Sequence, residues 1–298
     1  MTIHTIDLNF LGVQQAIASY LVQGPEGWLL VETGPMSTLE RLRQEMAQRD
    51  VGVTDVDAVL VTHIHLDHAG AAGWWAQQGV TVHVHHVGAP HLIDPSRLWH
   101  SAGRIYGEQM ETLWGEVVPA PRENVVSLRD GDIVQAAGLT LTALDTPGHA
   151  WHHHVYRLED AAFSGDAAGV RVPGSGWVSL PAPPPELDLE AWHKTLDRLE
   201  AEQLQTLYLT HFGRVDDVDN QLQQLREMME EGAQFVRRHM QQGSERNEII
   251  EAYTEWNRRR ALAAGMPAGD FEKYEAANPL FMSVDGLMRY WRKRKEAG

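Results

Sequence analysis

The amino-acid sequence predicts an α/β protein in which a mixed β-sheet system is covered by helices and followed by an all-helical C-terminal region. Short apolar, strand-like segments alternate with helical patterns through the first two thirds of the chain. Near residue 215 the strand patterns stop, and only helical stripes follow. A length of 298 residues and a hydrophobic fraction of 43% suffice for one large α/β domain with an appended region.

The first third of the chain contains four predicted strands and one long helix. The strands cover residues 3–10, 16–22, 28–31 and 56–61. Gly24-Pro25-Glu26-Gly27 is typical of a hairpin turn between the second and third strands, which predicts antiparallel pairing at the start of the sheet. Ser37, with Glu40 three residues later, predicts a capping box at the start of a helix that ends near Arg49.

A long insertion follows the fifth predicted strand. A helix is predicted over residues 71–78 and is followed by that strand at 80–85. After residue 85 the strand-like apolar pattern ends. Between residues 86 and 120 aromatic and Met side chains recur at helix-like spacings, with polar residues between them. An insertion of this length between core strands is more typical of a lid or pocket wall than of a core element.

The remaining strands belong to the region between this insertion and residue 214. They are predicted over residues 125–128, 133–136, 139–144, 154–158 and 206–209. Asp130-Gly131 supplies the turn between the first two of them. A Gly/Pro-rich loop over 169–185 has no periodicity, and a helix over 187–200 precedes the last strand.

Three apolar stripes at helical spacing occupy the C-terminal quarter. Their members are Leu222, Leu225, Met229 and Val236, then Ile249, Tyr253 and Trp256, and finally Val284, Leu287, Met288 and Trp291. We therefore predict two domains, an α/β domain over residues 1–214 and a helical extension over residues 215–298.

The composition excludes several classes of protein. The chain has no cysteine, so disulfides, thiol nucleophiles and thiolate metal sites are excluded. Its net charge is −16, and the excess of negative charge precedes residue 221, because residues 221–298 hold 13 Lys/Arg against 12 Asp/Glu. Such a surface repels a phosphate backbone, so we expect no nucleic-acid partner. Since no signal-peptide or membrane-spanning pattern is present, we expect a cytoplasmic protein without membrane attachment.

A cluster of metal-binding residue types follows the strand at 56–61. His63, His65, Asp67 and His68 fall within six positions, and no ordinary structural demand puts three imidazoles and a carboxylate together. Imidazole and carboxylate ligands suit zinc and other first-row divalent ions. In an extended segment, His63, His65 and Asp67 would project to one side and His68 to the other, which could serve two adjacent ions.

Three more ligand-type residues share the same placement. His149, Asp166 and His211 each follow the end of a strand-like segment. The C-terminal ends of strands form the rim where ligands bind in layered α/β proteins, so these residues and the cluster are expected to meet. Seven such ligands can hold two divalent ions about 3.5–4 Å apart, with one carboxylate as a bridge.

The motifs His-x-His-x-Asp-His, Thr-Pro-Gly-His and Ser-Gly-Asp, followed by a late His at a strand end, resemble the metallo-β-lactamase superfamily. The resemblance covers residues 1 to about 213. It implies a four-layer αββα sandwich with the site at the edge between its sheets. It also implies two metal sites, the first formed by His63, His65 and His149, and the second by Asp67, His68 and His211, with Asp166 as bridge.

The chemistry of such a site is hydrolysis. A hydroxide shared between two divalent ions, zinc foremost and iron or manganese as alternatives, is nucleophilic at neutral pH. Asp67 would orient the hydroxide or pass a proton to the leaving group. Full dinuclear ligation is similar to the glyoxalase II-like thioesterases and to the lactonases, so we expect a small ester, thioester or lactone as substrate. Two alternatives remain open: a phosphodiesterase acting on small phosphodiesters and a mono-iron sulfur dioxygenase.

The remaining histidines and aromatic residues have less specific roles. His152, His153 and His154 are expected to support the site or to pack, and His83, His85, His86 and His91 to be ordinary strand-end residues. Core packing and pocket lining are equally compatible with Trp99, His100, Tyr106 and Trp177. The aromatic and Met content of the helical extension is compatible with a cover over the site or with a homodimer.

Overall fold

The computed structural model describes residues 1–297, and its strands form two six-stranded sheets. In the first sheet the strands lie in chain order: β1 (Thr2–Asp7), β2 (Ala18–Gln23), β3 (Trp28–Val31), β4 (Val56–Leu60), β5 (Thr81–His85) and β6 (Val125–Leu128). The pairs β1–β2 and β2–β3 are antiparallel, as the hairpin turn predicts, and β3 to β6 run parallel.

The second sheet comes from the following part of the chain. Its strands are β7 (Ile133–Ala136), β8 (Leu139–Asp145), β9 (His154–Leu158), β10 (Ala161–Gly165), β11 (Thr206–Leu209) and β12 (Gly213–Val215). They also lie in chain order, and only β10 and β11 pair in parallel within this described sheet. The parallel pair requires a crossover, which contains helix α7 (Leu189–Ala201).

The other helices lie between strands of the first sheet or after the second. They are α1 (Leu39–Ala47), α2 (Leu66–Ala69), α3 (Ala72–Gln77), α4 (Ala89–Ile93), α5 (Ser96–Tyr106), α6 (Met110–Trp114), α8 (Val218–Gln241), α9 (Arg246–Ala263), α10 (Phe271–Ala277) and α11 (Leu280–Ala297). Single 3₁₀ turns occur at Phe10–Gly12, Met36–Thr38, Val53–Asp55, Gly107–Gln109, Arg122–Asn124 and Ala268–Asp270. Within residues 1–297, no helix has the length and apolarity to span a membrane.

Alternating side chains on the strands create a separate core on each face of the sheets. On β2, Tyr20 and Val22 enter the apolar layer between the two sheets, whereas Leu21 faces the outer helices. Tyr20 packs against Phe163 of the opposite sheet, with ring centroids 5.4 Å apart. Because both faces of both sheets are covered, the predicted four-layer αββα sandwich is confirmed.

The C-terminal region is helical, as predicted, and it packs on the α/β part of the molecule. The last strand ends at Val215 and α8 begins at Val218. Tyr274 of α10 connects the two parts, because its hydroxyl donates to the carbonyl of Trp177 at 2.6 Å and accepts from the amide of Val172 at 3.0 Å. The division into domains at residues 214 and 215 stays a prediction.

One local prediction is wrong, and one short helix was not predicted. Ser37 does not cap α1, which begins at Leu39, because the Ser37 hydroxyl donates to the carbonyl of Leu113 at 2.6 Å. A contact with α6 therefore replaces the expected capping box. The helix predicted over 71–78 is present as α3, but the sequence did not predict the separate short helix α2 before it, whose first residue is Leu66.

Candidate metal centre

The seven predicted ligand residues meet at one edge of the sandwich, between the two sheets. Four strand ends supply them, because the cluster follows β4, His149 follows β8, Asp166 follows β10 and His211 follows β11. The donor atoms fall into three overlapping groups within 4.8 Å: His63, His65 and His149; His63, His68 and Asp166; Asp67, His68 and His211. The structure therefore brings together the residues that were predicted to meet at one rim because each follows the end of a strand.

His63, His65, Asp67 and His68 are not distributed between the groups as they would be in a fully extended segment. Alternation puts Asp67 on the same side as His63 and His65, but Asp67 lies with His68 and His211. The reason is that α2 begins at Leu66, so Asp67 and His68 occupy a helical turn. The alternation prediction is wrong for this residue. Two of the three groups of donor atoms have the membership that the family resemblance implies, and the assignment of metal ions to them stays a prediction.

Three imidazole nitrogens face one another in the first group. His65 Nδ1 lies 2.9 Å from His63 Nε2 and 2.9 Å from His149 Nε2. The other nitrogen of His149 donates to the carbonyl of Pro181 at 2.8 Å, and that of His63 lies 3.1 Å from the hydroxyl of Thr62. The Thr62 hydroxyl donates its own proton to Glu32 and therefore accepts from His63 Nδ1. The ring protons of His63 and His149 are thus on Nδ1, and both Nε2 atoms present lone pairs.

His65 Nδ1 carries one proton at most, so it can donate to only one of these two lone pairs. The nitrogens of the other 2.9 Å contact then have no proton between them, and a cation at the centre would remove their repulsion. Tetrahedral zinc ligation holds two imidazole nitrogens about 3.3 Å apart, which is close to the 2.9 Å separations of this group. Burial, followed by the neighbouring imidazoles, lowers the pKa of His63 and of His65 well below the usual value. The rings are therefore neutral, which is the protonation state that binds a metal ion.

The second group combines two histidines with a carboxylate. His211 Nδ1 donates to the carbonyl of Ala16 at 2.7 Å, which leaves its Nε2 3.5 Å from Asp67 Oδ2. His68 Nε2 lies 3.7 Å from the same oxygen. Among the described residues, the buried Nε2 of His68 has no hydrogen-bond partner. The chemistry of this group, two imidazoles and one carboxylate, also fits a divalent ion.

Asp166 lies between the two groups. Its Oδ2 is 3.2 Å from His149 Nε2, and its Oδ1 is 3.4 Å from His68 Nε2 and 3.5 Å from His211 Nε2. The buried Oδ1 accepts no hydrogen bond from the part of the chain that the structure describes. One oxygen thus faces each group, as the bridging position requires.

The electrostatics of the second group favour a cation. Burial lowers the pKa of His68, but the charges of Asp67, Asp166 and Glu32 outweigh burial and raise it to about 10. Burial also raises the pKa of Asp67, whereas His68 and His211 lower it well below its ordinary value overall. Several carboxylates around one imidazole therefore favour a positive charge, carried by a proton or by a metal ion.

Glu32 is the functional residue that the sequence reasoning missed. Its carboxylate is buried, accepts from the hydroxyl of Thr62 at 2.5 Å, and lies 3.2 Å from His68 Nδ1. The Glu32 carboxylate therefore fixes the ring orientation of His68. The available signal was its position, since Glu32 directly follows β3 at the same rim as the other residues.

His153 holds the backbone of Asp166. The amide of Asp166 donates to His153 Nε2 at 3.2 Å, and the other nitrogen of the ring lies 2.8 Å from the hydroxyl of Thr146. Gly165 allows this approach, because its φ is +49° and a Cβ there would lie 2.5 Å from Thr62 Oγ1. His153 has the supporting position expected from the sequence.

His152 and His154 contact carboxylates outside the seven residues. His152 Nε2 is 3.2 Å from Glu186, and His154 Nε2 is 2.8 Å from Asp145 Oδ1. His85 Nε2 contacts the same oxygen at 2.9 Å, while its Nδ1 accepts from the backbone amide of Val87. The bond at Nδ1 places the proton of His85 on Nε2, next to Asp145 Oδ1, so these three residues form a compact polar cluster outside the seven.

A cavity of about 290 Å³ opens from the seven residues towards the protein surface. Its walls come from α5, from the Pro-rich segment before α7, and from the start of α11. Tyr106 lines the cavity, whereas Trp177 packs against Phe271 and Tyr274 away from it. The 86–120 insertion therefore forms a pocket wall, and the C-terminal region forms another.

Comparisons with known proteins agree with this arrangement. The family model of the metallo-beta-lactamase superfamily matches residues 13–211, which is more than half of the chain. The metallo-beta-lactamase family protein TTHA1429 from Thermus thermophilus shares the fold, with a TM-score of 0.64 and 24% identity over 98% of this chain and 94% of that one.

Two relatives by sequence match a smaller share of the chain. The metallo-beta-lactamase fold-containing protein ST1585 from Sulfurisphaera tokodaii is 22% identical over 218 residues, which are 72% of this chain and 79% of that protein. Atrochrysone carboxyl ACP thioesterase from Aspergillus chevalieri is 26% identical over 217 residues, which are 72% of this chain but only 56% of the thioesterase. By its motifs, its fold and the family match, the chain belongs to the metallo-beta-lactamase superfamily, which contains metal-dependent hydrolases.

Proposed function

We propose that the protein is a dinuclear metal-dependent hydrolase of a small ester, thioester or lactone. In this proposal one divalent ion is held by His63, His65 and His149, and a second by Asp67, His68 and His211. Asp166 contacts both. Zinc is the proposed metal, with iron or manganese as alternatives, because all the donors are imidazole nitrogens and carboxylate oxygens.

The observation that carries the proposal is the convergence of His63 Nε2, His65 Nδ1 and His149 Nε2, whose two 2.9 Å contacts can share at most one proton. Hydrogen bonds to Thr62 and Pro181 place the ring protons of His63 and His149 away from His65. Asp166 then adds a buried oxygen that accepts no hydrogen bond from the described residues. A purely structural hydrogen-bond network would place protons between these atoms.

The ions would supply a hydroxide nucleophile at neutral pH and would neutralise the charge that develops on the attacked carbonyl oxygen. Asp67 and Asp166 both line the cavity, and Asp67 is the more accessible, since its side chain is 24% exposed while that of Asp166 is 5% exposed. We propose that Asp67 accepts a hydrogen bond from the nucleophile and thereby orients it.

An acyl substrate is proposed rather than a phosphodiester because of the cavity lining. Apart from the metal centre the walls are largely apolar, and Arg97 is the one Lys or Arg among the described residues that line them. A phosphodiester retains a negative charge that such walls bind poorly. The name of the Aspergillus chevalieri relative, an acyl-carrier-protein thioesterase, supports a thioester as one candidate.

The proposal is tested with the metal-loaded protein and a panel of p-nitrophenyl esters, thioesters, lactones and bis-p-nitrophenyl phosphate. We expect turnover of at least one acyl class and much slower turnover of the phosphodiester. Preferred hydrolysis of the phosphodiester, or no hydrolysis of any member, would overturn the assignment. Oxygen consumption with a persulfide substrate would indicate the dioxygenase instead.

A Glu32→Gln substitution should weaken binding of the second ion. The amide keeps the shape of Glu32 but loses the charge that orients His68, and loss of such a supporting group costs about 10–100-fold in metal affinity. Titration with zinc against a competing chelator would measure the change. Glu26→Gln, at an exposed turn residue, is the control and should leave both affinities unchanged. Equal affinities in wild type and Glu32→Gln would refute the role of Glu32.

A further inference from the structure

The cavity beside the metal centre has apolar walls from segments far apart in the sequence. Helix α5 contributes Leu98, Ala102 and Ile105, whose spacing of four and then three residues places them on one face. The start of α11 contributes Met282, which follows Pro279 in the same wall. These side chains share the cavity with the metal centre, so an apolar group held there would adjoin the reacting atoms.

The apolar wall is open to solvent in the structure. Val87 is 45% exposed and Ile105 is 38% exposed, and both line the cavity. Helix α5, which is described over its whole length, has no fully buried residue, although it carries Leu98, Trp99 and Ile105. Leu98 and Ala102 pack partly against the core, and they line the cavity together with Ile105.

The described walls also carry polar side chains, among them Arg97, Ser101 and Tyr106 of α5 and Glu186. Glu186 is already engaged, because its carboxylate lies 3.2 Å from His152 Nε2. Hydrogen bonding to His152 lowers the pKa of Glu186 to about 2, so it remains ionised and paired at neutral pH. Glu186 is thus unavailable, and the larger part of the remaining wall is apolar, which favours an apolar group over a peptide or a sugar beside the metal centre.

We infer that this cavity is an acyl pocket, in which the face of α5 and Met282 hold a bulky apolar acyl group while its carbonyl lies at the metal centre. The inference rests on the proposed hydrolase function and specifies its substrate class. The cavity of about 290 Å³ has room for about ten water-sized groups, which corresponds to an acyl chain of about eight to ten carbons.

Binding of linear carboxylates tests the pocket without any turnover. Calorimetry on the metal-loaded protein would compare acetate, butanoate, hexanoate, octanoate, decanoate and dodecanoate. Because each buried methylene is favourable, affinity should rise about three- to fourfold per added carbon and level off at about eight to ten carbons. Affinity that does not depend on chain length would overturn the pocket.

Charged substitutions locate the pocket. Ile105→Asp and Val87→Asp alter partly exposed residues of different segments, and each should weaken octanoate binding by about tenfold with little effect on acetate. Ile133→Asp is the matched control, since Ile133 is 54% exposed and lies outside the cavity. If Ile133→Asp weakens octanoate binding as much as the two pocket variants, the inference is wrong.

Failure of the pocket and failure of the hydrolase function give different results. Chain-length-dependent binding without hydrolysis of any octanoyl ester or thioester would refute the function and leave the pocket in place. The opposite result would be hydrolysis of acetyl and octanoyl thioesters at equal kcat/KM, together with carboxylate affinities that do not depend on chain length. That result would refute the pocket and leave the hydrolase function in place.

Discussion

An Asp166→Asn substitution should reduce hydrolysis on the order of 10³-fold and lower the metal content from two ions per chain to one or fewer. A carboxylate shared by two ions supplies several kcal/mol of stabilisation, and an amide of the same shape lacks both the charge and one of the donor oxygens. Because the backbone amide of Asp166 still donates to His153, we expect the fold to persist. Elemental analysis and the rate with an activated ester would measure the two effects.

Asp145→Asn is the matched control for that experiment. Asp145 also lies at the end of a strand of the second sheet. Its Oδ1 is 2.9 Å from His85 Nε2 and 2.8 Å from His154 Nε2, but it lies outside the seven residues. Its substitution should leave the metal content at two ions and change the rate only a few fold. Full activity in metal-depleted Asp166→Asn protein would contradict the proposed mechanism.

A Trp192→Ala substitution should destabilise the protein by about 3–5 kcal/mol. Trp192 is fully buried, packs edge-on against His149 with centroids 5.8 Å apart, and donates to the carbonyl of Ala167 at 2.8 Å. Loss of the ring leaves a cavity beneath the metal centre. For a chain of this size we expect the Tm to fall by about 6–10 °C, which differential scanning calorimetry would measure.

Trp192→Phe separates packing from hydrogen bonding. The phenyl ring fills most of the space but leaves the Ala167 carbonyl without its donor, which costs about 1–3 kcal/mol. The expected order of stability is wild type, Trp192→Phe and then Trp192→Ala. If the Trp192→Ala protein has the same Tm as the wild type, the packing of Trp192 against His149 does not stabilise the protein as we propose.

The fold and the location of the site were predictable because local patterns determine them. A His or Asp residue that directly follows an apolar, strand-length segment lies at the C-terminal end of that strand. Such residues meet at one rim of the sheet, whatever the order of the strands. His63, His149, Asp166 and His211 all obey that rule. The family resemblance then supplied the division between two groups, which alternation alone assigned wrongly for Asp67.

Features that depend on long-range contacts could not be predicted in the same way. No local pattern indicates that Ser37 contacts Leu113 rather than capping a helix. Nor does any pattern show that Met282, more than 200 residues after the histidine cluster, lines the same cavity as His65. Compartment, oligomeric state and kinship with the glyoxalase II-like enzymes stay predictions.

Glu32 shows how a general rule can be applied too narrowly. It follows β3 as His63 follows β4. Its neighbours Thr33 and Gly34 are typical of a turn, however, and a single carboxylate in a turn is not by itself a metal-binding motif. Only the structure shows that its oxygens meet the hydroxyls of Thr62 and Thr210 and the ring of His68. The strand-end rule therefore makes every polar residue that follows a strand at this edge a candidate for supporting the metal centre.

The number of metal ions bound per chain tests the central claim most directly. Native mass spectrometry of the full chain, loaded with zinc and exchanged into a volatile buffer, would count them. We predict two ions per chain in the wild type, lost together with hydrolysis when a chelator removes them. A protein that hydrolyses its substrate at full rate with no ion, or that binds no more than one ion at saturating zinc, would contradict the dinuclear account.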